Sequence, residues 1–69
     1  MNQKMRLLDY LEHNYAITPL EALSILGIYR LSDTVFQLRK DGKNIVTHLI
    51  NVTNKFGEVC RVAEYRLED

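Results

Sequence analysis

Thr18-Pro19-Leu20-Glu21-Ala22-Leu23-Ser24-Ile25-Leu26-Gly27-Ile28-Tyr29-Arg30-Leu31, continued by Ser32-Asp33-Thr34-Val35-Phe36-Gln37-Leu38-Arg39-Lys40-Asp41-Gly42, is the stretch on which the fold turns. Its beginning carries three helix-start signals. Thr18 can accept from the exposed amides of a first helical turn, Pro19 suits a position whose amide needs no partner, and Glu21 can reach back to the Thr18 amide. A helix is therefore expected over 18–26, with Leu20, Leu23 and Leu26 as its apolar stripe and Gly27 able to take positive φ just past its end. Beyond Gly27, the residues Ile28, Leu31, Val35 and Leu38 recur at spacings of three and four. That spacing predicts the buried face of a further helix over about 29–41, ended by Gly42. Tyr29, Arg30, Ser32, Asp33, Thr34, Gln37, Arg39 and Lys40 fall on its other faces, which read as almost wholly polar.

Working outward, residues 3–13 place Met5, Leu8 and Leu11 on one side with Leu7 beside them, against Lys4, Arg6, Asp9 and Glu12. This is the pattern of an amphipathic first helix, stopping near His13-Asn14, where the helical spacing is lost. Downstream of Gly42 the period changes. Ile45, Thr47 and Leu49 alternate with Val46, His48 and Ile50, and β-branched residues continue to Thr53, so strands are expected over 44–53 and 58–67. Asn54-Lys55-Phe56-Gly57 lies between them, with Asn and Gly as the residues able to take the positive-φ positions of a hairpin turn.

The 69 residues allow one domain with one core, 1–69. No apolar run approaches the length of a membrane span or a signal-peptide core, so a cytoplasmic protein is expected. Cys60 is the only cysteine and has no zinc-ligand companions, so it reads as a small strand residue. The triplet Asn51-Val52-Thr53 matches a glycosylation acceptor by chance. The formal net charge is zero, which argues against a strong non-specific nucleic-acid binder. Its distribution is uneven, however. Over residues 29–66, Arg30, Arg39, Lys40, Lys43, Lys55, Arg61 and Arg66 outnumber Asp33, Asp41, Glu58 and Glu64, whereas residues 1–28 are slightly acidic. No paired carboxylates, nucleophile and base, metal-ligand set or phosphate-cradling loop is visible, so neither an enzyme nor a cofactor is expected. His13 and His48 read as structural or surface residues.

Three helices with a tight, glycine-marked connection between the second and third, followed by a two-stranded antiparallel hairpin, make an α+β winged helix-turn-helix. In that geometry the third helix enters the major groove of double-stranded DNA and the second braces it. Tyr29, Arg30, Ser32, Asp33, Thr34 and Gln37 are the expected readers: Arg suits guanine O6 and N7, Gln suits adenine N6 and N7, and Asp accepts from cytosine N4. Lys40 and Lys43, with Asn54, Lys55 and Phe56 at the hairpin tip, are the expected backbone contacts. Bland alternatives stand beside these roles. Arg30 and Arg39 suit surface ion pairs with Asp33 or Glu21, and Ser32 and Gln37 suit plain solvation.

The stretches Ile17-Thr18-Pro19-Leu20-Glu21-Ala22-Leu23, Gly27-Ile28-Tyr29-Arg30-Leu31, Leu38-Arg39-Lys40-Asp41-Gly42 and Asn44-Ile45-Val46-Thr47 resemble a family of short helix-turn-helix domains common in bacteriophages and prophages. The resemblance covers about residues 5–67 and extends to the ending Val62-Ala63-Glu64-Tyr65-Arg66-Leu67. It implies a DNA-binding regulator or accessory factor. It also marks a departure, because the family often carries a basic residue where this chain has Thr34. A second reading is a protein-binding module of the same fold, such as an inhibitor of a host protein, favoured by the neutral charge and by Asp33 on the reading face. A homodimer is a further expectation, since one module of this size buries little area against DNA.

Overall fold

Residues 2–68 are described in a computed structural model, as three helices followed by two strands. Helix α1 spans Gln3–His13, capped by the Asn2 side chain, which accepts from the Met5 amide at 2.9 Å. Helix α2 opens as an α-helical turn at Pro19–Glu21 and continues as a π-wound segment, Ala22–Leu26. Helix α3 spans Leu31–Lys40, strand β1 Ile45–Thr53 and strand β2 Val59–Leu67. The strands pair antiparallel from Ile45↔Leu67 at the base to Thr53↔Val59 at the tip.

The expected start of α2 is present in full. The Glu21 amide donates to Thr18 Oγ1 at 3.3 Å and the Thr18 amide donates to Glu21 Oε1 at 2.9 Å, a reciprocal capping box with Pro19 in the first turn. Gly27, at φ 69°, closes the helix in the left-handed region. The apolar stripe of α2 is not the expected one. Leu20, Leu23 and Ile25 are exposed, and Ala22 is the fully buried residue, with Leu26 packed partly against the core. With Ala22 inward, Leu20 and Leu23 lie about 160° and 100° around the helix from it and so leave the inward face, while the Gly27 amide closes the π-wound turn on the Ala22 carbonyl.

Helix α1 also differs in detail. Leu7 and Leu11, one turn apart, are its buried pair, whereas Met5 is exposed. Met5 lies two residues from Leu7 and so more than half a turn around the helix. The stripe expected for α3 holds in burial: Leu31, Val35 and Leu38 on the helix and Ile28 in the turn before it are all buried. Together with Leu7, Leu11, Ile17, Ala22 and Ile45 they form the core, onto which Leu8, Tyr10, Leu26, Tyr65 and Leu67 pack.

Besides this apolar packing, polar contacts that are not apparent in the local sequence join the hairpin to the helical part. Ile17 forms a two-residue antiparallel bridge with Tyr65, each amide donating to the other's carbonyl at 2.8–2.9 Å. Arg39 donates from Nε to the Ile45 carbonyl at 2.8 Å and from Nη2 to Thr47 Oγ1 at 2.9 Å. The expected pairing of Arg39 with an acidic surface residue is thereby replaced by a clamp between α3 and β1. At the C-terminus of α3 the Gly42 amide bonds to the Arg39 carbonyl and the Lys43 amide to the Leu38 carbonyl. These bonds satisfy the terminal carbonyls and turn the chain into β1.

Candidate nucleic-acid interface

Leu31, Thr34, Val35 and Leu38 hold α3 by one side, so at 100° per residue the opposite pole falls near Asp33, Phe36 and Lys40, flanked by Ser32 and Gln37. All five of these residues are exposed. Tyr29 and Arg30 precede the helix instead of opening it. Helix α3 begins two residues later than expected, with Arg30 as its N-cap, and both residues project from the α2–α3 turn.

One residue is displaced from the expected reading face. Thr34 is 3% exposed, and its hydroxyl points to the Arg30 carbonyl at 3.4 Å and to Gln3 Oε1 at 3.5 Å. The buried side of α3 is wide enough to take in position 34 because the start of α1 lies over it. The same packing brings α1 into the site. Asn2, Gln3 and Lys4 share a shallow depression of about 490 Å³ with Tyr29, Arg30, Asp33, Thr34 and Gln37. Nothing in the local sequence around residues 2–4 signals this. The juxtaposition arises only when α1 packs across α3.

Charges on this surface are loosely held. Arg30 Nη1 stands 3.7 Å from Asp33 Oδ2 with both side chains mostly exposed, a pair worth little in water and easily exchanged for another partner. Lys4 Nζ meets Asp41 Oδ2 at 2.8 Å, which offsets the acidic residue at the end of α3. Among the described residues, Lys40, Lys43 and Lys55 take part in no ion pair.

Phe36, which the sequence reading passed over, is 61% exposed at the outer pole of α3. Lys40, one turn further on, places Nζ 5.6 Å from the centre of its ring. The signal was available: Phe36 stands out of register with the stripe Leu31, Val35, Leu38. The outer face is thus less uniformly polar than the count of hydrogen-bonding residues implies.

At the hairpin tip the candidates separate. Asn54 does not take positive φ; Gly57 does, at 81°. Asn54 organises the turn through its side chain, with Oδ1 accepting from the Phe56 amide at 2.9 Å and the Glu58 amide at 3.0 Å, while Nδ2 donates to Glu58 Oε1 at 3.2 Å. With both ends of its amide engaged, Asn54 organises the turn that presents Lys55 and Phe56. Lys55 and Phe56 remain exposed, the Lys55 Nζ 5.6 Å from the Phe56 ring centre. The tip stands about 27 Å along the strands from the base of the sheet at roughly 3.4 Å per residue. It therefore forms a contact region distinct from the face of α3.

Among the described residues no three of His, Cys, Asp and Glu are gathered as metal ligands, and no helix is long and apolar enough to cross a membrane. No curated protein and no solved structure is significantly similar to the chain. A family model described as a winged helix-turn-helix domain matches residues 2–69. With its three helices, antiparallel hairpin and nearly full-length match, the chain belongs to the winged helix-turn-helix family.

Proposed function

We propose that this chain binds double-stranded DNA, reading the major groove with the outer face of α3 and holding the phosphate backbone with the hairpin tip. The observation that carries the reading is the fixed rotation of α3: its inner side is sealed into the core, leaving Ser32, Asp33, Phe36, Gln37 and Lys40 exposed together. Arg30 and Tyr29 extend that face toward the α2–α3 turn, where the first base edges are met in this geometry. Lys43 just past the end of α3, and Lys55 with Phe56 at the separate hairpin tip, are suited to phosphates and sugars. The role that fits a module of this size is a small transcriptional regulator or accessory factor of a phage or prophage, working in the host cytoplasm. It would act as two copies or beside a second DNA-bound protein, because a single small module buries only about 600–1,000 Å² against DNA.

Separating readers from positioners tests this. Gln37→Ala should cost about 1–3 kcal/mol on a preferred duplex and little on random DNA, whereas Lys55→Ala should weaken both and lower the salt slope by about one. A chain that retains no duplex from a random pool even at low salt overturns the proposal. A second reading, docking to a host protein, is favoured by the exposed aromatics Tyr29 and Phe36 beside Asp33. Capture of a protein by the same face without duplex binding would establish it.

A further inference from the structure

We infer that Phe36 is a specificity determinant that reads the C5-methyl group of a thymine, an inference that rests on the DNA-binding reading above. Phe36 is 61% exposed and sits near the pole of α3 opposite the buried Leu31 and Leu38. Residues near that pole of a helix laid in the major groove face the base edges and not the phosphates. A phenyl ring has no donor or acceptor to offer there. Guanine, adenine and cytosine present mainly hydrogen-bonding groups on the groove floor, and the apolar group among the four standard bases is the thymine methyl. The ring also has a defined neighbour, since Lys40 Nζ lies over its face 5.6 Å from its centre. Gln37, adjacent in sequence and exposed, carries the amide that pairs with adenine N6 and N7. Phe36 and Gln37 therefore form a neighbouring pair suited to an A·T-containing step, one reading the methyl and the other the purine.

The test begins with duplexes retained from a random pool by the full chain. The preferred duplex is remade with deoxyuridine in place of each thymidine in turn, which removes only the methyl. The wild type should lose about fourfold in affinity at one position, the worth of one buried methyl group. Phe36→Ala should bind the thymine duplex about that much more weakly and show no further loss with uracil, while Phe36→Leu should keep most of the methyl dependence. Placing cytosine and then 5-methylcytosine at that position separates the methyl from the base that carries it: a gain on methylation in the wild type but not in Phe36→Ala supports the inference. If every uracil substitution is silent, or costs both proteins equally, the inference fails while DNA binding stands. If no duplex is retained at all, both fail together, and capture of a protein through Phe36 would replace them.

Discussion

Exchanging two side chains of α3 that lie two residues apart tests whether the rotation of that helix is as described. Leu38 is 3% exposed and Phe36 61%. Leu38→Ala removes buried carbon from the centre of the core and leaves a cavity, at a cost of about 2–5 kcal/mol. A chain of this length has only about 3–10 kcal/mol to lose, so the variant should be barely folded. At roughly 4–8 °C per kcal/mol for a domain of this size, the melting temperature should fall by at least about 8 °C. Phe36→Ala should behave otherwise. It forfeits an exposed contact with Lys40, worth about 0.5–1 kcal/mol, and gains up to about 0.7 kcal/mol in helix propensity. The two effects nearly cancel, and its melting temperature should stay within about 4 °C of the wild type. Thermal unfolding followed by far-UV circular dichroism decides the matter. Equal losses in the two variants, or a larger one for Phe36→Ala, would show that α3 is rotated differently, and the assignment of the reading face would go with it.

The turn and the end of α1 yield two more expectations. Asn54→Ala strips the acceptor from two backbone amides and should cost about 1–3 kcal/mol in urea unfolding, whereas Asn54→Asp keeps the acceptor and should recover most of it; equal losses in both would mean that the turn is set by Gly57 alone. His13 should titrate above the ordinary histidine value of about 6.5, because its Nδ1–H donates to the Asp9 carbonyl and the Asp9 carboxylate lies close by. A raised folded pKa stabilises the protein fully below the unfolded value and loses that contribution as pH rises through the folded one. Ring-proton NMR of His13 in the folded and urea-unfolded chain checks this, and a folded midpoint at or below the unfolded one would contradict it.

Several features were legible in the sequence because their causes are local or periodic. The box at Thr18 and Glu21, the glycine after α2, the stripe on α3 and the alternation through β1 each depend on residues within a turn or two of one another. What escaped depends on partners far along the chain. Thr34 looks outward by its neighbours' polarity, and only the arrival of Gln3 and the rest of α1 makes its position an inner one. Leu20 and Leu23 match an inward stripe with Leu26, and only the burial of the small Ala22 against the rest of the core sets the inward face elsewhere. Arg39 gave no hint that its partners would be a strand carbonyl and a threonine hydroxyl. The bridge between Ile17 and Tyr65 joins a residue that reads as loop to one that reads as strand. Phe36 is a different case: its spacing from Leu31, Val35 and Leu38 already set it off the inward face, but as an apolar residue it has no place among the polar groups expected to read bases.

The hairpin behaves mechanically as a cantilever. Its root is pinned by the Arg39 clamp, by the Ile17–Tyr65 bridge and by the Glu68 amide bonded to the Asn44 carbonyl at 2.8 Å. Beyond the root the paired strands run out with Leu49, Val52 and Val59 exposed, so compliance grows with distance from the body. A load applied at Lys55 or Phe56 has a long arm, and one of its fulcra is Ile17, next in the chain to the residue that caps α2. Whatever grips the tip therefore exerts torque on the seat of α2 and, through Ala22 and Ile28, on the tilt of the helix beside it.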